Sequence, residues 1–288
     1  MGSLAGSPDT AEEETMSRGT ATEAEPRRFD VRSTDGTSLA IWVDGGGPPL
    51  VLVHGSLIDH TTFDPLVDEL RNGVTTFAMD RRGFGASGDG AGYAIEREFE
   101  DVAAVVEAAA ARTGGPVGLW GHSYGAGCAM GGTTLTNNVH HLVLYEPGLG
   151  IPYPAGSIEA IEEAVAAGDM ETAILAVLVG IMEMTHEEVD SLRSSPRWPT
   201  LLAGTPTVPR ECRAEDSWVY RPGQFDAITA PTLLLAGSHS PSVLTKATHE
   251  AAAAIPDARI RVLQGHGHLA TRTDPAMVAT VLRQFILP

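Results

Sequence analysis

Cysteine is nearly missing from this 288-residue chain, which has only Cys128 and Cys212. Two thiols without metal-ligand spacing give neither a disulfide framework nor a zinc site. Positive charge is also scarce: 19 Lys and Arg stand against 37 Asp and Glu, a formal net charge of −18. Nucleic-acid phosphates are bound by clustered cations that release counterions, so a nucleic-acid partner is excluded. Anchoring to an anionic membrane is excluded on the same ground. No apolar stretch reaches the ~18 residues of a membrane span, and no basic segment followed by an apolar run marks a secretory signal. These absences predict a cytoplasmic protein whose acidic surface serves solvation.

Apolar side chains make up 43% of the sequence, so a sizeable core can form. The length suits one α/β core with an insertion. Residues 1–26 are rich in Gly, Ser, Thr and Glu and cannot bury enough surface to offset their ordering entropy, which predicts a disordered tail. From Arg27 onward, short apolar runs alternate with helical patterns. RFDVRSTDG and SLAIWVDGG read as a hairpin. PLVLVHG is a continuous apolar run, the pattern of a strand buried on both faces of a parallel sheet. A helix is expected in TTFDPLVDELR, a strand in VTTFAMD, a long helix over 94–112, a strand in PVGLW and another in VHHLVLYE. The alternation then gives way to a helical, acidic stretch over about 147–225, and resumes with PTLLLAG, a helix near 244–254, ARIRVLQG and a last helix over 275–287. The expected fold is therefore α/β, a mostly parallel sheet flanked by helices, with catalysis at the carboxyl ends of its strands.

One motif sits at such an end. Gly121-His122-Ser123-Tyr124-Gly125 is a G-x-S-x-G run between a strand and a small-residue helix. A sharp strand-to-helix turn lifts the serine hydroxyl above the sheet, at a helix N-terminus, and needs glycine where neighbouring backbones come too close for a Cβ. A serine hydroxyl is a weak nucleophile until a base takes its proton.

With LVHG at 52–55, DRRGFGAS at 80–87, GHSYG at 121–125, LVLYEPG at 142–148 and GHLATRTDP at 267–275, the chain resembles the α/β-hydrolase superfamily over nearly everything after residue 26. The resemblance is greatest to small, cofactor-free bacterial esterase-like members with a helical cap. It implies a core over 27–148 and 225–288 and a cap over 149–224. It also implies that the strand ending at Glu146 lies beside the nucleophile strand. The family's base lies in a Gly-His pair with a proline seven residues on, which is His268; His266 is two residues too far from Pro275. By the same likeness the backbone N–H groups of Ser56 and Tyr124 form the oxyanion hole, and His54, Asp80 and Arg81 are structural, the DRRGFGAS turn bracing the loop beside those donors.

The likeness breaks at the third member. Most relatives carry an aspartate three residues beyond the glycine of PTLLLAG, but here that position is Ser240, and no carboxylate occurs between Thr232 and Thr248. Some members place the acid after the preceding strand instead, which points to Glu146. A Ser–His dyad oriented by Ser240 or His239 is the alternative. In the cap, apolar residues of AILAVLVGIMEM run nearly all round one helix, and Met182, Met184, Trp198 and Trp218 are candidate pocket walls. The expected function is hydrolysis of an ester, thioester or lactone of a small to medium, largely apolar substrate through an acyl-enzyme. The empty aspartate site keeps two alternatives open: a lyase or cyclase using Ser123 and His268 as acid-base groups, and a non-catalytic ligand-binding protein. Dehalogenase and epoxide-hydrolase chemistries need a carboxylate where Ser123 stands. No cofactor or metal is expected, and the partner is a small-molecule substrate, with a homodimer left open.

Overall fold

The computed structural model describes residues 1–2 and 27–287. Apart from its first two residues, the expected disordered tail lies outside that range. The elements run β1 (Arg27–Arg32), β2 (Ser38–Gly45), β3 (Pro49–Val53), α1 (Asp64–Leu70), β4 (Thr75–Met79), α2 (Ile95–Thr113), β5 (Val117–His122), α3 (Tyr124–Thr133) and β6 (Val139–Tyr145). Five helices follow: α4 (Ser157–Ala166), α5 (Met170–Gly180), α6 (His186–Arg193), α7 (Trp198–Gly204) and α8 (Val208–Ser217). The chain closes with β7 (Thr232–Gly237), α9 (Ser242–Ala254), β8 (Ala258–Leu263), α10 (Ala270–Thr273) and α11 (Pro275–Ile286).

All eight strands form one sheet in the order β1-β2-β4-β3-β5-β6-β7-β8. β2 runs antiparallel to both its neighbours and every other pair is parallel. The continuous apolar runs are explained by burial on both faces. In β5, Leu119 enters the core under α2 and α3, whereas Trp120 enters the core under α1 and α11. β3 divides in the same way, Val51 and Val53 to one face and Leu50 and Leu52 to the other. Strand β8 lies at the edge, and its Arg259 and Arg261 are exposed, which protects an otherwise pairable strand edge.

From β3 the chain moves outward to β4, then crosses back to β5 on the other side and continues to β6 and β7. The connections leaving the neighbouring ends of β3 and β5 therefore diverge, and a crevice opens between them, the place where open α/β sheets bind ligands. His54-Gly55 and Ser123 stand at these two ends.

The helical stretch between β6 and β7 has its own apolar cluster, built on Ile158, Ile161, Ile174, Val177 and Leu201 and joined by Leu57 of the sheet domain. One sequence expectation needs correction here. The helix expected to carry AILAVLVGIMEM ends at Gly180, and Met182 and Met184 lie in the turn beyond it. Their amides return to Val177 O and Leu178 O at 2.9 Å each, satisfying carbonyls of the last turn. The next helix starts at once, from a reciprocal capping box between Thr185 and Glu188.

Candidate active site

Ser123 forms the tight turn between β5 and α3 with φ 57° and ψ −127°, a backbone conformation that L-residues avoid. Such strain costs on the order of 1–3 kcal/mol and persists only where the surroundings over-determine it. Here the determinants are visible. Ser123 N donates to Tyr145 O at 2.9 Å, and Ser123 O accepts from Ala126 N at 2.9 Å and from Gly148 N at 3.3 Å. A Cβ on Gly125 would stand 2.1 Å from His54 O, and one on Gly121 would stand 2.5 Å from Ala126 Cα. Because the first obstruction is backbone, Gly125→Ala is expected to destabilise the fold by at least about 1–3 kcal/mol and to displace the His54 loop. A denaturation midpoint equal to wild type would contradict this.

His268 and Glu146 meet at the adjoining strand ends. His268 Nδ1 bonds Glu146 Oε2 at 2.6 Å, and Glu146 Oε1 accepts the Gly237 N–H at 2.6 Å. Glu146 has left-handed backbone geometry (φ 46°) and is fully buried. Both of its oxygens are thus committed, one to the imidazole and one to the exit of β7, where the usual aspartate is missing. The other two candidates for orienting the base do not reach it. Ser240 Oγ is buried without a partner, and His239 N bonds the His266 carbonyl.

Residues that the sequence reading gave no role complete the setting of His268. His122 Nε2 donates to His268 O at 2.9 Å, and the two rings lie 4.5 Å apart. Burial, reinforced by His268, holds His122 well below the usual imidazole range, so it is neutral with its proton on Nε2. The Tyr145 hydroxyl donates to Gly267 O. A histidine directly before the nucleophile was the only available sequence signal.

Tyr124 is the first residue of α3, so its N–H has no intrahelical acceptor. The segment leading to Ser56 is pressed against the nucleophile: a Cβ on Gly55 would lie 2.8 Å from Ser123 Cβ and 3.4 Å from its Oγ. Arg81 grips this segment from below. Its backbone N–H donates to His54 Nε2 at 3.0 Å, its Nε to His54 O at 2.9 Å and its Nη2 to Gly55 O at 3.1 Å. With Nε2 accepting, Nδ1 carries the His54 proton toward Gly55 O, and burial with Arg81 nearby holds His54 down to about 3. Asp80 braces the same turn, accepting from His60, Ala86 and Trp42. Burial alone would raise its carboxyl, but the His60 and Ala86 hydrogen bonds prevail and hold it at about 2.

The fully buried Arg81 guanidinium also pairs with two carboxylates, Glu98 of α2 at 2.9 Å and Glu211 of α8 at 2.6 Å. A further buried carboxyl, Glu215, accepts from the Tyr153 hydroxyl. Burial pushes Glu98 up to about 7 against the pull of Arg81, and pushes Glu215 up to about 8 against its Tyr153 hydrogen bond. Carboxyls raised above their ordinary 4.5 favour the fold fully below that value, and this contribution is lost as pH rises through about 7 to 8. Above about pH 6.5, where the buried neutral histidines His54 and His122 are uncharged in the unfolded chain as well, the melting temperature should therefore fall toward about pH 8.5, and Glu215→Gln should reduce the fall. A wild-type melting temperature that stays level or rises across this range would contradict carboxyls held above their ordinary value by burial.

Of the four candidate pocket walls, Met182, Met184 and Trp198 come together in the apolar cluster of the helical insertion. Trp218 does not join them. Its ring packs edge-on against Phe99 at 5.9 Å and beside Tyr220 and Phe225, in the core under α2. Among the described residues no cluster of His, Cys, Asp or Glu could hold a metal ion, and no helix is long and apolar enough to cross a membrane.

Comparison with known proteins agrees with this fold. The model of a family described as "Alpha/beta hydrolase family" matches residues 50–281. The chain belongs to that family. It is an enzyme of the hydrolase class, and several of the proteins it resembles carry hydrolase or esterase names. A crystal structure of an alpha/beta hydrolase from Sphaerobacter thermophilus superposes with a TM-score of 0.78 at 31% identity, covering 89% of this chain and 99% of that one. The 2-(acetamidomethylene)succinate hydrolase of Mesorhizobium japonicum is 25% identical over 271 residues, 90% of this chain and 94% of that protein. The enol-lactonase of Burkholderia xenovorans shares the fold with a TM-score of 0.69 at 20% identity, over 90% of this chain and all of that one.

Proposed function

We propose that this hydrolase cleaves a carboxylic ester, thioester or lactone through an acyl-enzyme, with Ser123 as nucleophile, His268 as base and Glu146 as the acid that orients the base. The carrying observation is the 2.6 Å bond from His268 Nδ1 to Glu146, which commits that nitrogen and leaves Nε2 for the serine proton. Ser123 Oγ attacks the carbonyl carbon as its proton passes to His268 Nε2, and Glu146 stabilises the resulting imidazolium. The Ser56 and Tyr124 N–H groups receive the oxyanion. Collapse expels the alcohol or thiol, which takes the proton from His268. Water, deprotonated by the same nitrogen, then releases the acid and restores Ser123.

On this reading the α4–α8 insertion (149–224) is a cap over the core formed by 27–148 and 225–288. Met182, Met184 and Trp198 belong to its apolar lining, which suits a small to medium, largely apolar substrate. The lyase, cyclase and ligand-binding alternatives drew on the empty aspartate position. A carboxylate on His268 from β6 removes that motivation.

A fluorophosphonate probe tests the proposal. One adduct is expected, on the peptide that carries Ser123, and none in Ser123→Ala. Ester turnover by a protein that the probe never labels at Ser123 would overturn it.

A further inference from the structure

Glu215 lies in the last turn of α8, more than nine-tenths buried, yet the nearby guanidinium of Arg81 is spent on Glu98 and Glu211. It is clamped against the loop that leaves β6: its backbone carbonyl accepts from Gly150 N at 3.1 Å, and its Oε2 accepts from the Tyr153 hydroxyl. Its other oxygen, Oε1, has no hydrogen-bond partner among the described residues. That oxygen points at the nucleophile turn. Around the position a Cβ on Gly148 would take, Glu215 Oε1 lies 2.1 Å away and the Tyr124 backbone nitrogen 3.6 Å away. Glycine at 148, two residues beyond Glu146, therefore leaves the gap that the free oxygen of Glu215 occupies, beside an N–H proposed for the oxyanion.

A carboxylate in that gap would repel the developing oxyanion, whereas a carboxylic acid adds a donor. With Tyr153 donating to Oε2, the carboxyl proton belongs on Oε1. The titratable and charged groups that face Glu215 are Tyr153 before α4, Glu211 and Cys212 on α8, and Arg81 after β4. Burial dominates among these influences and places the carboxyl at about 8, neutral at neutral pH.

The geometry points to Glu215 as a specificity-determining residue that donates a hydrogen bond to an ether or carbonyl oxygen on the acyl part of the substrate, close to the scissile carbonyl. This deepens the ester-hydrolase reading and rests on it.

The full-length enzyme is assayed on p-nitrophenyl 3-methoxypropanoate and p-nitrophenyl pentanoate, which match in chain length and differ by one ether oxygen. Each kcat/KM is divided by the uncatalysed rate of the same ester. Near neutral pH the wild type should favour the ether ester about tenfold, the value of one hydrogen bond. The preference should fade by about pH 9.5, as the carboxyl ionises. Glu215→Leu should bring the ratio close to one at every pH. Glu215→Gln keeps the shape and an N–H donor, so its preference should persist without the pH dependence. A merely structural Glu215 lowers both esters alike and leaves the ratio untouched. A wild-type ratio near one, a ratio unmoved by Glu215→Leu, or a pH dependence retained in Glu215→Gln would overturn the assignment. If Glu215→Leu does not fold, the comparison of wild type with Glu215→Gln across pH decides alone. Failure of the underlying reading looks different: neither ester is turned over and Ser123 takes no fluorophosphonate, which removes both proposals together.

Discussion

Replacing Glu146 with glutamine should lower kcat/KM for a p-nitrophenyl ester by about 10⁴, the loss that follows when a catalytic histidine is held in the wrong tautomer. Glutamine fills the same volume, and its carbonyl oxygen can still accept the Gly237 N–H that now bonds Oε1 at 2.6 Å. Its amide nitrogen then faces His268 Nδ1, where a carboxylate oxygen stood. The imidazole is driven to keep its proton on Nε2, which is the nitrogen the serine needs unprotonated. Since the carboxylate is fully buried and both its oxygens are bonded, Glu146→Ala would confound this loss with a cavity and an unpaired donor. The glutamine variant should fold, and circular dichroism checks that. Turnover within a few-fold of wild type would remove Glu146 from the mechanism.

Ser123→Ala should be the more severe change, lowering kcat by about 10⁶ and leaving only what the oxyanion donors and binding supply. Its comparison with Ser123→Gly is equally informative. The turn holds φ 57° and ψ −127°, which glycine adopts freely and alanine does not. Both variants should be inactive, but Ser123→Gly should melt higher than Ser123→Ala by the equivalent of about 1–3 kcal/mol. The strain is thus tied to presentation of the hydroxyl and not to the stability of the sheet. Equal melting temperatures would show that the turn stores no such strain.

How much of this was legible in the sequence depended on the range of the interaction. Runs buried on both faces, as in PLVLV and TLLLAG, mark their strands because nothing polar interrupts them. The nucleophile turn is legible because its two glycines and its serine fall within five consecutive residues, although Gly125 answers a contact with His54 far away in sequence. The Glu146 assignment came from an absence, the lack of any carboxylate between Thr232 and Thr248, and in the structure Glu146 lies against His268. The end of α5 was misread because AILAVLVGIMEM has no polar side chain before Glu183, three residues past the helix end. The stop is made by backbone returns to Val177 and Leu178 and by the capping box that opens α6. Trp218 was misplaced because an isolated tryptophan gives no sign of whether it faces Phe99 or a ligand. The supports from His122 and Tyr145 and the Glu215–Tyr153 pair join residues far apart in sequence, with no periodicity to betray them.

The most direct test of the account is mass spectrometry of the enzyme quenched with acid during steady turnover of p-nitrophenyl butyrate. The account predicts a butyryl group on the peptide containing Ser123, missing when His268→Ala or Glu146→Gln slows acylation. Steady ester turnover with no acyl group on Ser123 at any quench time would contradict it.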